Sequence, residues 1–536
     1  MWYSRIGTFL LILLVTLSTC SGDVNNSTRT KNKLNILAIF AHPGKSHFDV
    51  FKPLLEELAR KGHDLTVISH FPRNEKAKAT EPLPNYKDIS LYTEKNGILV
   101  NVVDLHNIED SYLKIFRDLY MLHYMSGLSC ELCLSSQAVK ELIDSKPKFD
   151  VILVESFNTN CFMTLVYKLN APSIQISTHQ LMPWAIDDLG LSHESQYIPA
   201  MFTRLPRPMN LLERTLNTVT TNFLSLVFHT IYNWRDHSLA EKYYGPGIPS
   251  LQSVSNNASL MMVNTHYTVH GSILYPPNVI EVGGIHISPK VKPLPKEIKK
   301  FLDDAHDGVL YFNLGSMVKM ASIPKDKLEV LLNVLRSIPR KVIWKWETDD
   351  IPNIPSNVLV QKWLPQYDVL NHPNVKCYFG HGGLLGLTEG VQSGVPMVLM
   401  PLYGDQYQNA IAAQARGVAL VVKFGTLNER DLRHAIDEIF NNTSYRENAK
   451  KLSKAFKDRP SQPLDTAVWW TEYVGRGDGL PYIRSERANM SWCQRNLIDV
   501  ATLLVAVSLL VLYLSYRVFK RLATSKNTKD SKKKRD

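Results

Sequence analysis

The chain has 536 residues, 44% of them hydrophobic and 21% charged, with a formal net charge of +11. That length gives room for two domains with large cores. Nine Lys or Arg against two Asp in residues 517–536 carry +7 of the charge and Arg5 one more, leaving +3 for residues 23–516, which argues against a nucleic-acid-binding surface.

Residues 1–22 carry Arg5, an apolar run from Ile6 to Leu17, then small residues, and read as a secretory signal. Sequons at Asn25, Asn26, Asn257, Asn441, Asn442 and Asn489 fit a glycoprotein exposed to a lumen. Six cysteines lie at 20, 130, 133, 161, 377 and 493. The lone Cys130–Cys133 CxxC has no second pair and no nearby histidine couple, so zinc is not expected. A disulfide is compatible with an oxidising lumen, with the pairing open.

Leu34 to Phe40 reads as a first buried strand, followed by AHPGKSH, an amphipathic helix and the strand DLTVIS. The GKS is not a phosphate loop, because position 39, where that motif needs glycine, is Ile. His47 falls at the helix start, whose positive end favours a neutral imidazole able to accept a proton. Segment 71–110 reads as loop with short strands, and 111–145 has helical spacing. KFDVILVES is another buried strand ending in Glu155, at the edge where parallel sheets place their sites. A carboxylate there can hold an imidazole and stabilise its charged form. Asn160 ranks lower for that task because it carries no charge. From Tyr197 to Trp234 the chain is basic, aromatic and proline-punctuated, suited to lining a lipophilic site or touching a bilayer. SLMMVNTH and VIEVGGIHI close the first half, and the linker Pro289 to Lys300 follows.

A second sheet begins at GVLYFNLGSM, where Gly315 and Ser316 form a turn after a strand. A cation near Lys345 is a minor candidate for facing a bound nucleotide. The densest stretch runs from Trp363 to Gln406: WLPQ, a short strand, the turn Gly380-His381-Gly382-Gly383, a helix, the run VPMVLMPL, then GDQ. This is one βαβ unit. Gly382 and Gly383 let a ligand approach the backbone, the helix start offers free N–H groups to a phosphate, and His381 can donate to the same anion. Trp363 is a surface for stacking a base, and Asp405 and Gln406 suit sugar hydroxyls. Residues 445–475 read as helical. Leu497 to Tyr516 is long enough to span a bilayer, with the basic tail on the cytosolic side.

The stretch from 363 to 406 resembles the donor-site signature of the membrane-bound UDP-glycosyltransferases. It matches at Trp363, Gln366, His381, Gly382, Gly383, Glu389, Gly394, Pro396, Pro401, Asp405 and Gln406. It departs at Gly380, usually Thr or Ser, and at Leu385, often Asn in vertebrate enzymes. The resemblance extends over most of the chain: PGKSHF is similar to the segment carrying the family's catalytic base, and Glu155 stands where the family usually has Asp. Gly315 and Ser316 resemble the phosphate-contacting loop.

What the resemblance implies is a GT-B architecture, two facing Rossmann-like αβα domains plus a C-terminal transmembrane helix. The expected organisation is a signal peptide (1–22), an acceptor domain (23–285), a UDP-sugar domain (286–460), crossing helices (461–495) in which Trp469 and Trp470 pack on the first domain, a transmembrane helix (496–518) and a basic tail (519–536). His47 and Glu155 form the implied catalytic pair. Gly315, Ser316, Trp363, Gln366, His381, Gly382, Gly383, Glu389, Asp405 and Gln406 form the implied donor site. UDP-sugar is the co-substrate, with no resident cofactor. No metal is expected either, since the donor half lacks an Asp-x-Asp motif and Asp349–Asp350 is an adjacent loop pair. Segments such as AHPGKSHF and FNTNCF look like invertebrate members, which points to glucose and to a small lipophilic acceptor. The implied location is the endoplasmic reticulum membrane, single-pass with a luminal catalytic part and a detoxifying role, since the chain ends like a dilysine retrieval signal. Self-association is left open. The rival classes are a non-catalytic membrane-anchored binding protein and a different sugar-nucleotide enzyme such as an epimerase.

Overall fold

Thirteen strands build two parallel sheets among the residues that the computed structural model describes: 33–73, 81–92, 102–108, 114–349, 351, 353–477 and 479–532. The expected signal segment, the sequons at Asn25 and Asn26 and the last four residues lie outside these. In the first half, β1 (Asn35–Phe40), β2 (Asp64–Ser69), β3 (Tyr86–Ser90), β4 (Val151–Glu155), β5 (Ser173–Ser177), β6 (Leu260–Val263) and β7 (Val279–Glu281) pair in the order β3-β2-β1-β4-β5-β6-β7. In the second, β8 (Val309–Asn313), β9 (Lys341–Lys345), β10 (Val358–Gln361), β11 (Val375–Gly380), β12 (Met397–Leu399) and β13 (Ala419–Val421) pair as β10-β9-β8-β11-β12-β13. Both orders reverse direction once, between β1 and β4 and between β8 and β11. A parallel sheet opens its crevice at that reversal, beyond the strand C-termini.

Helices cover both faces, as buried parallel strands require. Helix α1 (Lys45–Arg60) turns Phe48, Phe51, Leu55 and Leu58 onto the first sheet at three- and four-residue spacing. Helices α2 (Lys114–Ser135), α3 (Leu211–Val227) and α4 (Asn233–Tyr244) stand on the first half, and a disulfide joins Cys130 of α2 to Cys161 just after β4. Helices α5 (Leu384–Ser393) and α6 (Gln406–Ala415) follow β11 and β12. In the second core Phe312 stacks between Phe379 and Trp344, with centroids 4.3 and 5.0 Å away.

The halves are tied across the cleft by long-range contacts. Lys114 Nζ donates to Leu402 O at 2.6 Å, Gln408 Nε2 to Thr203 O at 2.9 Å, and Val103–Asp104 pairs with Val318–Lys319 as a short parallel ribbon. The segment expected to be helical over 445–475 is two helices, α7 (Thr443–Lys457) and α8 (Pro463–Arg476). Helix α8 crosses back onto the first half, where Gly475 lies against Leu34 and Val151. Trp470 packs on that core, but Trp469 is half exposed and stacks on Tyr473 instead, so only one of the two expected tryptophans is used. The final helix, α9 (Ile498–Lys532), does not stop at 518: the apolar part runs from Ile498 to Leu522 and the helix continues into the basic tail.

Candidate functional site

The first switch point is built by the loop after β1 and by the end of β4. His47 lies in the first turn of α1, and its Nδ1 is 2.6 Å from Glu155 Oε1. A carboxylate only accepts, so the Nδ1 proton points at Glu155 and Nε2 keeps the lone pair. Thr178 Oγ1, just beyond β5, is 3.2 Å from the same Nδ1. Asn160 takes no part: its Nδ2 is 3.2 Å from Asp188 Oδ2 and its backbone N–H reaches Asp236. The His47 ring is held by His42, stacked at 4.3 Å, and by Phe157 at 4.6 Å. Burial pushes His42 well below the usual histidine range and His179 down to about 3, so neither neighbour brings a charge at neutral pH.

The second switch point lies between β8 and β11. His381 follows β11 with its ring packed between two glycines: a Cβ on Gly315 would stand 2.7 Å from its Cε1, and one on Gly383 2.4 Å from its Nε2. Gly315 also sits at φ +86°, where a side chain is strained. The glycines thus make room for the imidazole as well as for a ligand. Burial, with Lys345 nearby, lowers the His381 pKa to about 4. It therefore meets an anion as a neutral donor. Its Nδ1 has no partner among the described residues. The positive charge at this end comes from Lys345, whose Nζ donates to Gly315 O at 2.8 Å.

Gln366 is fixed from both sides. Its Oε1 accepts from Tyr311 OH at 3.0 Å and Asn313 Nδ2 at 2.7 Å, which turns Nε2 toward Glu389 Oε2 at 2.5 Å. Glu389 is pushed up to about 7 by burial. Trp363, 70% exposed, forms the rim. Gln406 is less available than expected: its Oε1 already accepts the N–H groups of Leu402 and Tyr403, leaving only its NH₂ for a ligand. Asp405 accepts from Asn409 Nδ2 at 2.7 Å and is raised by burial. Gly380 has a local cause: Cβ atoms on it and on Gly386 would stand 2.6 and 2.5 Å from the Tyr378 phenol, which fills that space.

These groups share one cleft of about 390 Å³. Its wall includes every candidate named from the sequence except Asn160, Gly382 and Glu155, the last of which stands behind His47. Thr178, His179, Asn313 and Tyr403 also line it and were not foreseen. The first three follow or end buried strands, so the strand-end rule that picked Glu155 points to them as well.

The family model described as "UDP-glucoronosyl and UDP-glucosyl transferase" matches residues 37–534. The chain is 34% identical to UDP-glucosyltransferase 2 of Dactylopius coccus, over 89% of this chain and 90% of that one. It is 31% identical to human UDP-glucuronosyltransferase 2B15, over 92% and 94%. Among solved structures, the glycosyltransferase VinC in complex with dTDP superposes with a TM-score of 0.54 at 16% identity, over 83% of this chain and all of that one. The kitacinnamycin glycotransferase does so with a TM-score of 0.54 at 17% identity, over 84% and 99%. At such identities these two likenesses speak to the GT-B fold alone.

Proposed function

The chain belongs to the UDP-glycosyltransferase family, and on that premise we propose that it transfers glucose from UDP-glucose to a hydroxyl of a small lipophilic acceptor, with inversion. The observation that carries this reading is the 2.6 Å contact between His47 and Glu155, at a cleft whose other wall holds His381 and the start of α5.

In this scheme Glu155 keeps the Nδ1 proton in place and stabilises the imidazolium, while Nε2 takes the acceptor proton. The acceptor oxygen bonds to the anomeric carbon as the bond from that carbon to the phosphate oxygen breaks, and the electron pair leaves with UDP. Lys345, the Ser316 hydroxyl, the neutral His381 N–H and the free N–H groups of α5 stabilise the departing diphosphate. Trp363 stacks on the uracil, Gln366 and Glu389 bind the ribose, and Asp405 with the Gln406 NH₂ binds the hexose. Gly382 and Gly383 shape the anion loop. No divalent ion takes part. Holding both substrates in one cleft supplies the other large contribution.

Helix α9 anchors the enzyme in this reading. Its apolar part is 25 residues long and fully exposed, enough to cross a bilayer. The basic tail is cytosolic, the catalytic part luminal, and the membrane that of the endoplasmic reticulum, in keeping with conjugation of foreign or excess lipophiles.

The test incubates membranes holding the full chain with labelled UDP-glucose, UDP-glucuronate and UDP-galactose and a panel of phenols. Transfer of glucose with a β-linked product is expected. Preferred transfer of another sugar overturns the donor assignment, and an α-linked product overturns inversion. UDP binding without transfer to any acceptor places the chain among binding proteins.

A further inference from the structure

The first turn of α6 reaches across the cleft. Gln408 Nε2 donates to Thr203 O of the first half, and Arg204 Nη2 donates to Tyr407 OH at 3.0 Å. The next residue, Asn409, is fully buried and joins more than the two halves. Its Nδ2 donates to Asp405 Oδ2 at 2.7 Å and to Gly382 O at 3.0 Å. A carboxylate and a carbonyl only accept, so these contacts fix which end of the amide is nitrogen. Its Oδ1 then faces the first half, where His270 Nε2 stands at 3.4 Å and Gln180 Nε2 at 3.5 Å. An amide oxygen only accepts, so His270 carries a proton on Nε2. Burial lowers the His270 pKa to about 4 and keeps that ring neutral.

Each partner of Asn409 bears on the cleft. Asp405 is the carboxylate assigned to the hexose. Gly382 belongs to the anion turn, and a Cβ on it would stand 3.0 Å from Gln406 O, so the turn leans on the start of α6. On the other side, Gln180 lies two residues after Thr178, whose Oγ1 is 3.2 Å from His47 Nδ1. His179, between them, packs on Phe157 at 5.0 Å, and Phe157 packs on His47 at 4.6 Å. Burial raises the Asp405 carboxyl, and the Asn409 N–H and the nearby His47 act against that rise.

Among side chains of this size only an amide serves both sides. A carboxylate at 409 would face Asp405 and repel it. An apolar group would leave Gly382 O and His270 Nε2 buried without a partner.

We propose that Asn409 is a positioning residue for transfer, holding Asp405 and the Gly382 turn in register with the loop beside His47, so that donor occupancy is felt by that loop. The proposal rests on the transfer reading above and names what aligns the two sides of its cleft. A hexose on Asp405 fixes the carboxylate, the carboxylate fixes Asn409, and the amide oxygen fixes Gln180. No member moves without leaving a buried polar group unpaired, which is how such a network carries order from one site to another. The coupling is reciprocal, so an acceptor that orders residues 178–180 also favours the donor.

The experiment compares the full native chain in detergent micelles with Gln180→Ala, Asn409→Ala and the double variant. Hydrogen exchange is followed with and without UDP-glucose, alongside UDP calorimetry and glucose transfer to a phenol. In the native chain UDP-glucose should slow exchange at 380–384 and also at 178–182. In Gln180→Ala the slowing at 380–384 should persist and that at 178–182 should vanish. That variant should keep UDP affinity within about twofold while kcat falls by roughly tenfold, a loss of alignment and not of donor binding. Asn409→Ala should lose the slowing at 178–182 and also raise KM for UDP-glucose, and the double variant should turn over no more slowly than Asn409→Ala alone. Gln180→Ala decides the matter by itself if Asn409→Ala does not fold. Additive losses in the double variant, or slowing at 178–182 that survives in Gln180→Ala, overturn the proposal and leave the transfer reading standing. A native chain that transfers no sugar, yet shows slowing at 178–182 that Gln180→Ala abolishes, keeps the coupling and fails the transfer reading.

Discussion

Glu155 Oε1 sits 2.6 Å from His47 Nδ1, although 108 positions separate the two residues, one in the helix after β1 and the other at the end of β4. The extra methylene of glutamate, relative to the aspartate usual in the family, is accommodated with a full hydrogen bond. His47→Ala should lower turnover by roughly 10²-fold or more, the scale of losing a general base. Glu155→Gln keeps an oxygen acceptor but loses the charge that stabilises the imidazolium, and should also cost about 10²-fold or more in kcat. Steady-state kinetics with UDP-glucose and a phenol measures both, and unchanged turnover in either variant removes the pair from the mechanism.

Trp363→Ala should act on binding before chemistry. Loss of a base-stacking surface is worth about 1–3 kcal/mol, so UDP affinity should fall by roughly 5- to 140-fold. Calorimetric titration with UDP measures this directly. Normal affinity would mean that the exposed indole does not touch the nucleotide.

Gly315 and Gly404 separate backbone strain from crowding. Both have positive φ, +86° and +62°, but a Cβ on Gly404 meets nothing within 4 Å, whereas one on Gly315 meets the His381 ring. Gly404→Ala should cost about 1–2 kcal/mol from strain. Gly315→Ala should cost more, and should also raise KM for the UDP-sugar by displacing the imidazole. Thermal melts with donor kinetics distinguish them, and equal effects on both readouts would refute the packing argument.

Glu389 gives a pH dependence of unusual sign. Its carboxyl is raised from 4.5 to about 7 by burial, so between those values the folded chain holds a proton that the unfolded chain has lost. Its effect is to reduce stability as pH rises through that window, by about 1.4 kcal/mol per unit at most. The midpoint of thermal unfolding should fall from pH 5 to pH 7 more steeply in the native chain than in Glu389→Gln. Parallel curves would show that Glu389 is ionised throughout.

Chelation should leave transfer intact. The scheme places Lys345, backbone N–H groups and neutral donors at the diphosphate. Activity lost in EDTA and restored by a divalent ion would require a metal site.

Local signals announced much of this molecule. Runs such as NILAIF and VILVE can only be buried strands, and the helical spacing after His47 and after Gly383 places helices over them. Alternation of the two implies parallel sheets, and the strand-end rule leads to His47, Glu155 and His381. Trp469 shows the limit: two adjacent tryptophans on one helix point in different directions, and only the fold decides which one packs on the core.

By itself the sequence determined the two parallel α/β halves, the glycine turn, the apolar C-terminal run and the residue types at the site, because each is written in neighbours a few positions apart. The tertiary structure alone decided that Glu155 and not Asn160 meets His47, that His381 is uncharged, and that Tyr311 and Asn313 set the orientation of Gln366. Each of those depends on how far burial removes water from a group and on which distant residue fills the space beside it. Neither quantity exists until the chain has closed on itself.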